Sequence, residues 1–261
     1  MNILCCFKIS PDYDKVLERD WSAAGPSGPD TSYVPHGPGC YDEAALELAL
    51  RLRDEALARG DDVHVTAATV SAEKIDAFAR LLYALGVARV VQIRAPETAD
   101  FQPETVSAAL SKAFADERFD LVLCGAQSAE GGGQTPCRLA KKLGFPCFSG
   151  ITDLHVLDSG LRMTHEIPGG ERRATVRVPA VYAVGNAKHP YLRMATVRQR
   201  MAVSGRVPER VDIPALETAE PLRLLRLAHP ESGRRCVFVE GESCAEKAAA
   251  LLRLCPEVRR V

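Results

Sequence analysis

A run of three glycines followed by Gln134 and Thr135 contains the residue types best suited to binding a ligand. Glycines at 131–133 can adopt positive φ and let backbone amides approach a phosphate closely. An apolar run (119–125) precedes them and an amphipathic stretch (135–144) follows, which predicts a strand, a loop and a helix N-terminus, the local geometry of many phosphate sites. The spacing fits neither GxGxxG nor GxxxxGK[ST], so for the glycines alone a flexible turn is an equally good interpretation.

The chain has no recognisable set of residues for acid–base or nucleophilic catalysis. It contains no GxSxG, HExxH or CxxC motif, and its six histidines are dispersed. Its nine cysteines lack the paired spacings of a metal site or a disulfide framework, so small buried hydrophobic residues in a reducing cytoplasm are the favoured interpretation. The sequence therefore favours binding or electron carriage over enzymatic activity, and no catalytic residue or metal ligand is predicted.

The composition narrows the range of partners. A formal net charge of −1 argues against nonspecific binding to nucleic acid or to an anionic membrane surface. No apolar run approaches the ~20 residues of a membrane-spanning helix, so no membrane insertion is expected. The N-terminal sequence MNILCCFKISPD fits a buried strand better than a signal peptide, which predicts a cytoplasmic protein.

Strands alternate with helices along the first part of the chain. Short apolar runs are followed by longer stretches in which apolar residues recur at helical spacing. This alternation predicts right-handed crossovers and a mostly parallel sheet covered by helices on both faces. An irregular segment rich in proline and glycine, residues 10–39, interrupts the alternation after the first strand. The predicted strands are 2–9, 62–70, 88–94 and 119–125, and the predicted helices are 41–58, 72–86, 103–117 and 135–144.

The pattern changes after Pro146. Short strands separated by turn residues predict an antiparallel meander, followed by one more buried strand, a basic loop and a terminal amphipathic helix. These elements are predicted at 151–158, 161–167, 172–178, 179–185, 189–206 and 241–255. The fold predicted from the whole pattern is a three-layer α/β/α, Rossmann-like domain of adenine-nucleotide-binding type, with a mostly parallel sheet, an antiparallel meander and a C-terminal extension.

The predicted organisation has two parts. Residues 1–187 form the α/β nucleotide-binding domain, and residues 188–261 form a loop and an extension that has little core of its own and is expected to pack on a partner subunit. In sheets of this type, ligands bind beyond the carboxyl ends of the strands, near the reversal of strand order. The candidate segments at those ends are 8–12, 67–69 and 125–135.

Several motifs together resemble the beta (small) subunit of electron transfer flavoproteins across nearly the whole chain. ILCCFKISPD (3–12) is similar to the family's first strand, and PGCYDEAALELALRL (38–52) to its second motif, in which an Asn-Pro-aromatic step opens a helix. GAQSAEGGGQT (125–135) is similar to the loop that begins Gly-Lys-Gln and ends Gln-Thr. LYALGVARVVQI (82–93) resembles a helix–strand segment, and PYLRMATVRQRM (190–201) the loop that recognises partner dehydrogenases.

The resemblance implies an electron carrier rather than an enzyme. It implies an α/β subunit that forms a heterodimer with a larger alpha subunit and exchanges electrons with a flavoprotein dehydrogenase. The redox-active FAD lies mainly on the alpha subunit in most members, and the beta subunit holds a structural AMP. Electron-bifurcating members hold a second FAD in that pocket, so AMP and FAD both stay open as ligands of this chain.

Site residues carry over from the family by position. The nucleotide contacts implied are Cys6, Gly39, Cys40, Tyr41, Asp42, Ala68, Gly125, Ala126, Gln127, Ser128, Ala129, Glu130, Gly131, Gly132, Gly133, Gln134 and Thr135. The implied partner-recognition residues are Met194, Ala195, Thr196, Val197, Arg198, Gln199, Arg200 and Met201.

The chain departs from the family pattern at several of these positions. Gly39-Cys40 stands in place of Asn-Pro, Ala126 in place of Lys, and the loop around Glu130 is one residue shorter with a single carboxylate. Val197-Arg198 replaces Leu-Pro, which adds charge and indicates a partner other than a standard acyl-CoA dehydrogenase. Two other interpretations stay open: a stand-alone adenine-nucleotide-binding module of the universal-stress or nucleotide-hydrolase type, and a small-molecule enzyme on the same scaffold.

Overall fold

A computed structural model describes residues 1–26, 28–94, 101–128, 132–158, 160–177, 179–213, 225–228 and 236–255. The strands are β1 (Asn2–Cys6), β2 (Ile9–Pro11), β3 (His36–Pro38), β4 (His64–Val70), β5 (Arg89–Arg94), β6 (Leu121–Gly125), β7 (Cys147–Leu157), β8 (Gly160–Ile167), β9 (Gly170–Val176), β10 (Ala180–Val184) and β11 (Glu209–Asp212). The helices are α1 (Glu18–Ser22), α2 (Cys40–Ala58), α3 (Asp76–Ala84), α4 (Pro103–Ala113), α5 (Thr135–Leu143), α6 (Val197–Ala202) and α7 (Cys244–Leu254).

A nine-stranded sheet in the order β11-β5-β4-β1-β6-β10-β7-β8-β9 organises the chain. The strands from β11 to β7 are parallel to their neighbours, and β7, β8 and β9 form an antiparallel meander. Helices cover both faces of the sheet. The predicted three-layer α/β fold with a mostly parallel sheet and a meander is therefore confirmed.

Side chains along the central strands point alternately to the two faces of the sheet and so form two apolar layers, one on each face. In β1, Ile3 and Cys5 belong to one buried cluster, which includes much of helix α2, and Leu4 and Cys6 belong to the other, which includes parts of α4 and α5. Successive side chains of a strand point to opposite faces, so a strand covered on both sides is apolar at every position. This double burial explains why β1 and β6 are recognisable in the sequence as continuous apolar runs.

Three parts of the fold differ from the sequence prediction. The segment 10–39 was expected to be irregular, but β2 pairs with β3 in a small antiparallel sheet, and a 3₁₀ turn and helix α1 lie between them. Strand β7 begins four residues before its predicted start because its first part pairs with β10 while its second part enters the meander. Strand β11, which was not predicted, pairs with β5 at the sheet edge.

Strand β11 escaped prediction because its sequence, Glu-Arg-Val-Asp, has no apolar run. It pairs with β5 through its backbone, and ion pairs add to this attachment. Arg89 on β5 binds Glu209 through two nitrogens at 2.6 and 2.9 Å and also binds Glu117. Arg210 binds Asp76 of α3 at 2.8 Å. Charged residues at a sheet edge are common, and here they attach the strand to its neighbours.

The cysteines are less buried than predicted. Cys5, Cys6 and Cys124 lie in the core, but Cys147 is half-buried and five others are exposed: Cys40, Cys137, Cys236, Cys244 and Cys255. Sequence reasoning treated all nine alike because the residue type is usually buried. Only those on the central strands follow that expectation.

The chain divides into two compact units, Met1–Leu227 and Ala228–Val261. Strand β11 belongs to the sheet of the first unit, so this unit extends past the predicted boundary at residue 187. In the second unit, Ser243 and Glu246 form a capping box at the start of α7, the predicted terminal helix. The packing of residues 188–261 on a partner subunit stays a prediction. No helix in the described part of the chain is long and apolar enough to cross a membrane.

Candidate functional site

A cleft opens beyond the carboxyl ends of β4, β1 and β6. Strands β4 and β5 are added to the sheet on one side of β1, and β6 is added on the other side. The order of strands therefore reverses at β1. At such a reversal the connecting segments leave in opposite directions and a crevice remains between them, which is where ligands bind in open α/β sheets. The cleft holds about 940 Å³ of open space, a volume that includes its mouth.

Ten of the predicted nucleotide contacts lie on the wall of this cleft. They are Cys6, Asp42, Ala68, Gly125, Gln127, Ser128, Gly132, Gly133, Gln134 and Thr135. They come from three strand ends, one loop and the starts of helices α2 and α5, which are distant in sequence. The structure thus brings together most of the residues implied by the family resemblance, although their contact with a nucleotide stays a prediction.

Seven predicted contacts are not among the cleft-lining residues. Gly39 and Cys40 line a separate surface depression with residues of the 10–14 segment. Tyr41 is half-buried outside the cleft, and the N–H of Ala126 donates to the carbonyl of Val184 at 2.8 Å, which holds the loop to the sheet. The other three, Ala129, Glu130 and Gly131, lie outside the described residues.

Two glycines are required by close backbone approach. A β-carbon on Gly125 would stand 2.5 Å from Oδ1 of Asp42, and one on Gly133 would stand 2.4 Å from the carbonyl oxygen of Ala126. Gly133 also has a φ of +69°, in the left-handed region that glycine adopts without strain. The chain therefore turns tightly at Gly133, the last residue of the triglycine, and this turn brings the loop back to the start of α5.

Asp42 is a buried carboxylate at the junction of three segments. Its oxygens accept hydrogen bonds from the backbone N–H groups of Lys8, Gly125 and Gly39, the first at 3.2 Å. As the third residue of α2, it also caps the helix by reaching back to the N-cap residue. Burial raises its pKa to about 7, although the three hydrogen bonds and the charge of Lys8 oppose this shift.

The wall opposite the loop is apolar and was missed by sequence reasoning. Phe101 and three residues of α4, Pro103, Val106 and Leu110, line the cleft together with Phe7 and Val70. The Nζ of Lys8 lies 5.8 Å from the centre of the Phe101 ring. The helical periodicity of 103–117 marked these residues as buried in the core, but the sequence could not indicate that part of the face borders a cleft. An apolar slot of this kind suits a flat heterocycle.

Thr69, at the end of β4, carries the clearest sign of a missing ligand. Its side chain is almost fully buried and lines the cleft, yet its Oγ1 has no hydrogen-bond partner within the described part of the chain. A buried hydroxyl without a partner costs ~1–3 kcal/mol, and a polar ligand in the cleft would remove that cost. The site therefore fits a ligand that offers both an aromatic ring and hydrogen-bonding groups.

The start of α5 provides the other half of such a site. Gln134 is the N-cap and no side chain caps the helix, and the first turn contains no acidic residue. The free N–H groups and the positive end of the helix dipole favour an anion at this position. The guanidinium of Arg138 is held by Glu104 of α4 and by the Oε1 of Gln134. The cleft thus combines an apolar slot with an anion-binding helix start.

A second candidate surface is formed by residues 194–201, the predicted partner-recognition segment. The structure forms helix α6 here rather than a loop, with Thr196 and Gln199 making a capping box. The Thr-x-x-Gln spacing was the available sequence signal. Ala195 is buried, whereas Met194, Val197 and Met201 are 82 %, 74 % and 71 % exposed. Arg198 and Arg200 are exposed beside them, so the surface is both apolar and basic.

Arg193 anchors this segment to helix α2. Its guanidinium binds Glu47 through Nε and Nη2, the shortest contact being 2.8 Å, and binds Asp54 through Nη1 at 2.5 Å. Glu47 is buried and also accepts the backbone N–H of Arg193. Despite the cost of partial burial, hydrogen bonds from Arg193 and Arg53 lower the pKa of Asp54. The same helix therefore carries Asp42 in the cleft and the acceptors for Arg193.

The electron transfer flavoprotein domain family matches residues 34–201, which include the starts of α2 and α5, the loop between β6 and α5, and helix α6. The chain belongs to the electron transfer flavoprotein family. This match confirms the resemblance identified from the motifs. Members of the family are electron carriers, and membership supports an electron transfer role for this chain.

Curated relatives span almost the whole electron transfer flavoprotein chain. YgcR of Escherichia coli (strain K12), provisionally named an electron transfer flavoprotein subunit, is 34% identical over 96% of both chains. The electron transfer flavoprotein subunit beta of Syntrophomonas wolfei is 27% identical over 97% of this chain and 96% of its own. The subunit beta of Bacillus subtilis is 27% identical over 82% and 83%. The similarity thus extends beyond the matched domain.

Asp42→Asn tests the buried carboxylate. The pKa of Asp42 is higher in the folded protein than in the unfolded chain. The carboxyl group therefore adds to the free energy of unfolding at low pH, and this contribution is lost as the pH rises through about 7. We expect the free energy of unfolding of the native protein, measured relative to Asp42→Asn by urea titration, to fall between pH 5 and pH 8. Lys8, Cys5 and Cys124 are the other titratable groups near Asp42 and are common to both proteins. A difference that stays constant over this range would contradict the assignment.

Arg193→Met tests the anchor of the 194–201 segment. The substitution leaves Glu47 buried without its partner, so we expect a destabilisation of about 2 kcal/mol or more, less than for a fully buried pair because Arg193 is partly exposed. Backbone amides of 192–202 should exchange hydrogen faster, as measured by mass spectrometry. Arg173→Met is the control, since its pair with Glu171 is exposed. Equal effects of the two substitutions would rule out the anchoring role.

Proposed function

We propose that this electron transfer flavoprotein is a beta-type subunit that pairs with an alpha-type subunit and binds an adenine nucleotide in the cleft at the ends of β1, β4 and β6. The single observation that carries the nucleotide proposal is the buried Oγ1 of Thr69 on the wall of that cleft, which has no hydrogen-bond partner among the described residues. The proposal of a beta-type subunit rests on relatives named subunit beta that align over 97% and 82% of the chain.

The proposed ligand is AMP or the adenylate half of a second FAD. The apolar slot between Phe101 and the strand ends would take the adenine ring, and the free N–H groups at the start of α5 would take a phosphate. The remaining proposed contacts are those implied by the family resemblance, including Gly39, Cys40, Tyr41, Ala126, Ala129, Glu130 and Gly131. A flavin, when bound, supplies the one- and two-electron chemistry of the complex.

This chain's own residues would then bind and position rather than react. Asp42 holds the β1 end, the β6 loop and α2 in one arrangement, and Thr69 offers its hydroxyl to the ligand. None of the residues assigned to the site is proposed to act as a general acid, general base or nucleophile. The role supported best is that of an electron-carrier subunit, which distinguishes it from a small-molecule enzyme on the same fold.

The surface of residues 194–201 is the proposed docking site for a flavoprotein dehydrogenase. Met194, Val197 and Met201 provide the apolar contact, and Arg198 and Arg200 favour a partner with acidic residues around an apolar pocket. Residues 188–261 as a whole are proposed to contact the alpha subunit. A cytoplasmic location is part of the same proposal and rests on the composition of the chain.

Co-expression with an alpha-type subunit from the same organism tests the proposed function. The complex should co-purify with a flavin absorbance spectrum, and denaturation should release either one flavin and one AMP or two flavins per heterodimer. The first result assigns AMP to this chain and the second assigns FAD. A chain that stays monomeric, binds ATP alone and yields no flavin with such a subunit would instead be a stand-alone nucleotide module.

Thr69→Val tests the ligand site in the chain itself. Removing a buried hydroxyl that lacks a partner should leave the nucleotide-free protein as stable as before or more stable, whereas losing its bond to the ligand should weaken AMP binding about three- to tenfold. Calorimetry measures both quantities. Thr66→Val is the matched control, since Thr66 is a buried threonine on the same strand that does not line the cleft. Equal affinities for the three proteins would refute the assignment of Thr69.

A further inference from the structure

Two cysteine thiols meet at the junction of α5 and β7. The Sγ atoms of Cys137 and Cys147 are 3.7 Å apart. Cys137 lies in the first turn of α5 and is exposed, and Cys147 is the first residue of β7 and is half-buried. The two residues are ten positions apart, and rigid elements on both sides hold them in contact. Solvent therefore reaches a preformed pair of thiols.

A second thiol pair provides an internal comparison. Cys6 and Cys124 are also in hydrogen-bond contact, at the ends of β1 and β6, but both are buried. Oxidation of a thiol needs access for the oxidant and a thiolate, and burial denies both. The pKa of Cys124 is raised well above its usual value by its hydrogen bond to Cys6 and by burial. In both pairs the two sulfur atoms are in contact, and the pairs therefore differ in how easily an oxidant in solvent can reach them.

We propose that Cys137 and Cys147 form a reversible intramolecular disulfide, in which Cys137 is the thiol oxidised first and Cys147 is the resolving thiol. The oxidant is a hydroperoxide such as hydrogen peroxide. Closing the bond requires the sulfur atoms to approach by about 1.7 Å, which side-chain rotation on an exposed helix turn can supply. The inference does not depend on the proposed function.

The reaction balances in two steps. The Cys137 thiolate attacks one peroxide oxygen, so that an S–O bond forms, the O–O bond breaks and the departing hydroxide leaves as water after protonation. The sulfur of Cys147 then attacks the sulfenic sulfur of Cys137, an S–S bond forms, the S–O bond breaks, and the leaving hydroxide takes the proton of Cys147. Two thiols are oxidised, and one peroxide is reduced to two waters.

The surroundings support this division of roles. Burial and its hydrogen bond to Cys137 raise the pKa of Cys147 to about 12, so Cys147 keeps its proton and can donate its S–H to a Cys137 thiolate. Cys137 is the more exposed of the two and lies in the first turn of α5, where an oxidant can reach it. The disulfide would join the start of α5, next to the cleft-lining residues Gln134 and Thr135, to strand β7.

Peptide mapping of the full chain tests the proposal. The protein is treated with a small excess of hydrogen peroxide, denatured, alkylated and digested with trypsin and a glutamate-specific protease. Cleavage after Glu130 is essential because trypsin alone leaves Cys124 and Cys137 in one peptide. We expect the loss of two of the nine titratable thiols, recovery of both on reduction, and a linked peptide that joins Cys137 to Cys147.

Single substitutions complete the test. Cys147→Ser should abolish the linked peptide and leave Cys137 open to trapping as a sulfenic acid by dimedone, whereas Cys137→Ser should abolish both signals. Cys244→Ser, which removes an exposed thiol elsewhere, should leave the linkage unchanged. The proposal fails if both thiols remain fully alkylatable in the oxidised protein, if the linked peptide contains Cys124 or a second copy of the chain, or if Cys147→Ser retains the linkage.

Discussion

The three backbone hydrogen bonds collected by Asp42 are the interaction on which the cleft depends. They join the end of β1, the end of β6 and the N-terminus of α2; β1 and β6 are already neighbours in the sheet, and Asp42 connects the start of α2 to both strand ends. Gly125 is required for the same reason, because any larger residue would collide with the Asp42 carboxylate. An ionisable group is thus buried where an apolar residue could not satisfy the surrounding N–H groups.

Helix α2 links the cleft to the proposed docking surface. Its first turn carries Asp42, and its middle carries Glu47 and Asp54, which bind Arg193 ahead of α6. A helix that is buried along most of its length moves as one body, so both ends share one position relative to the sheet. The cleft and the surface of residues 194–201 are therefore both attached to one helix.

Most of the fold could be predicted from the sequence because its central strands are buried on both faces and its helices have clear apolar periodicity. The cleft loop was found from Gln134 and Thr135 between a predicted strand and helix, and Ala68 from its place at a strand end. Phe101 and the cleft side of α4 were missed, because apolar residues that line a cleft have the same pattern as those in a core. Strand β11 was missed because ion pairs with distant residues hold it.

Helix α6 is attached on both sides, by the Arg193 ion pairs before it and by strand β11 after it. These two attachments hold helix α6 in place relative to the sheet. Its exposed side chains, which lie between the attachments, do not contribute to holding it. Sequence divergence at Val197, Arg198 and Met201 can accordingly change which protein surface is complementary to this one while the sheet, the cleft and its ligand geometry stay as they are.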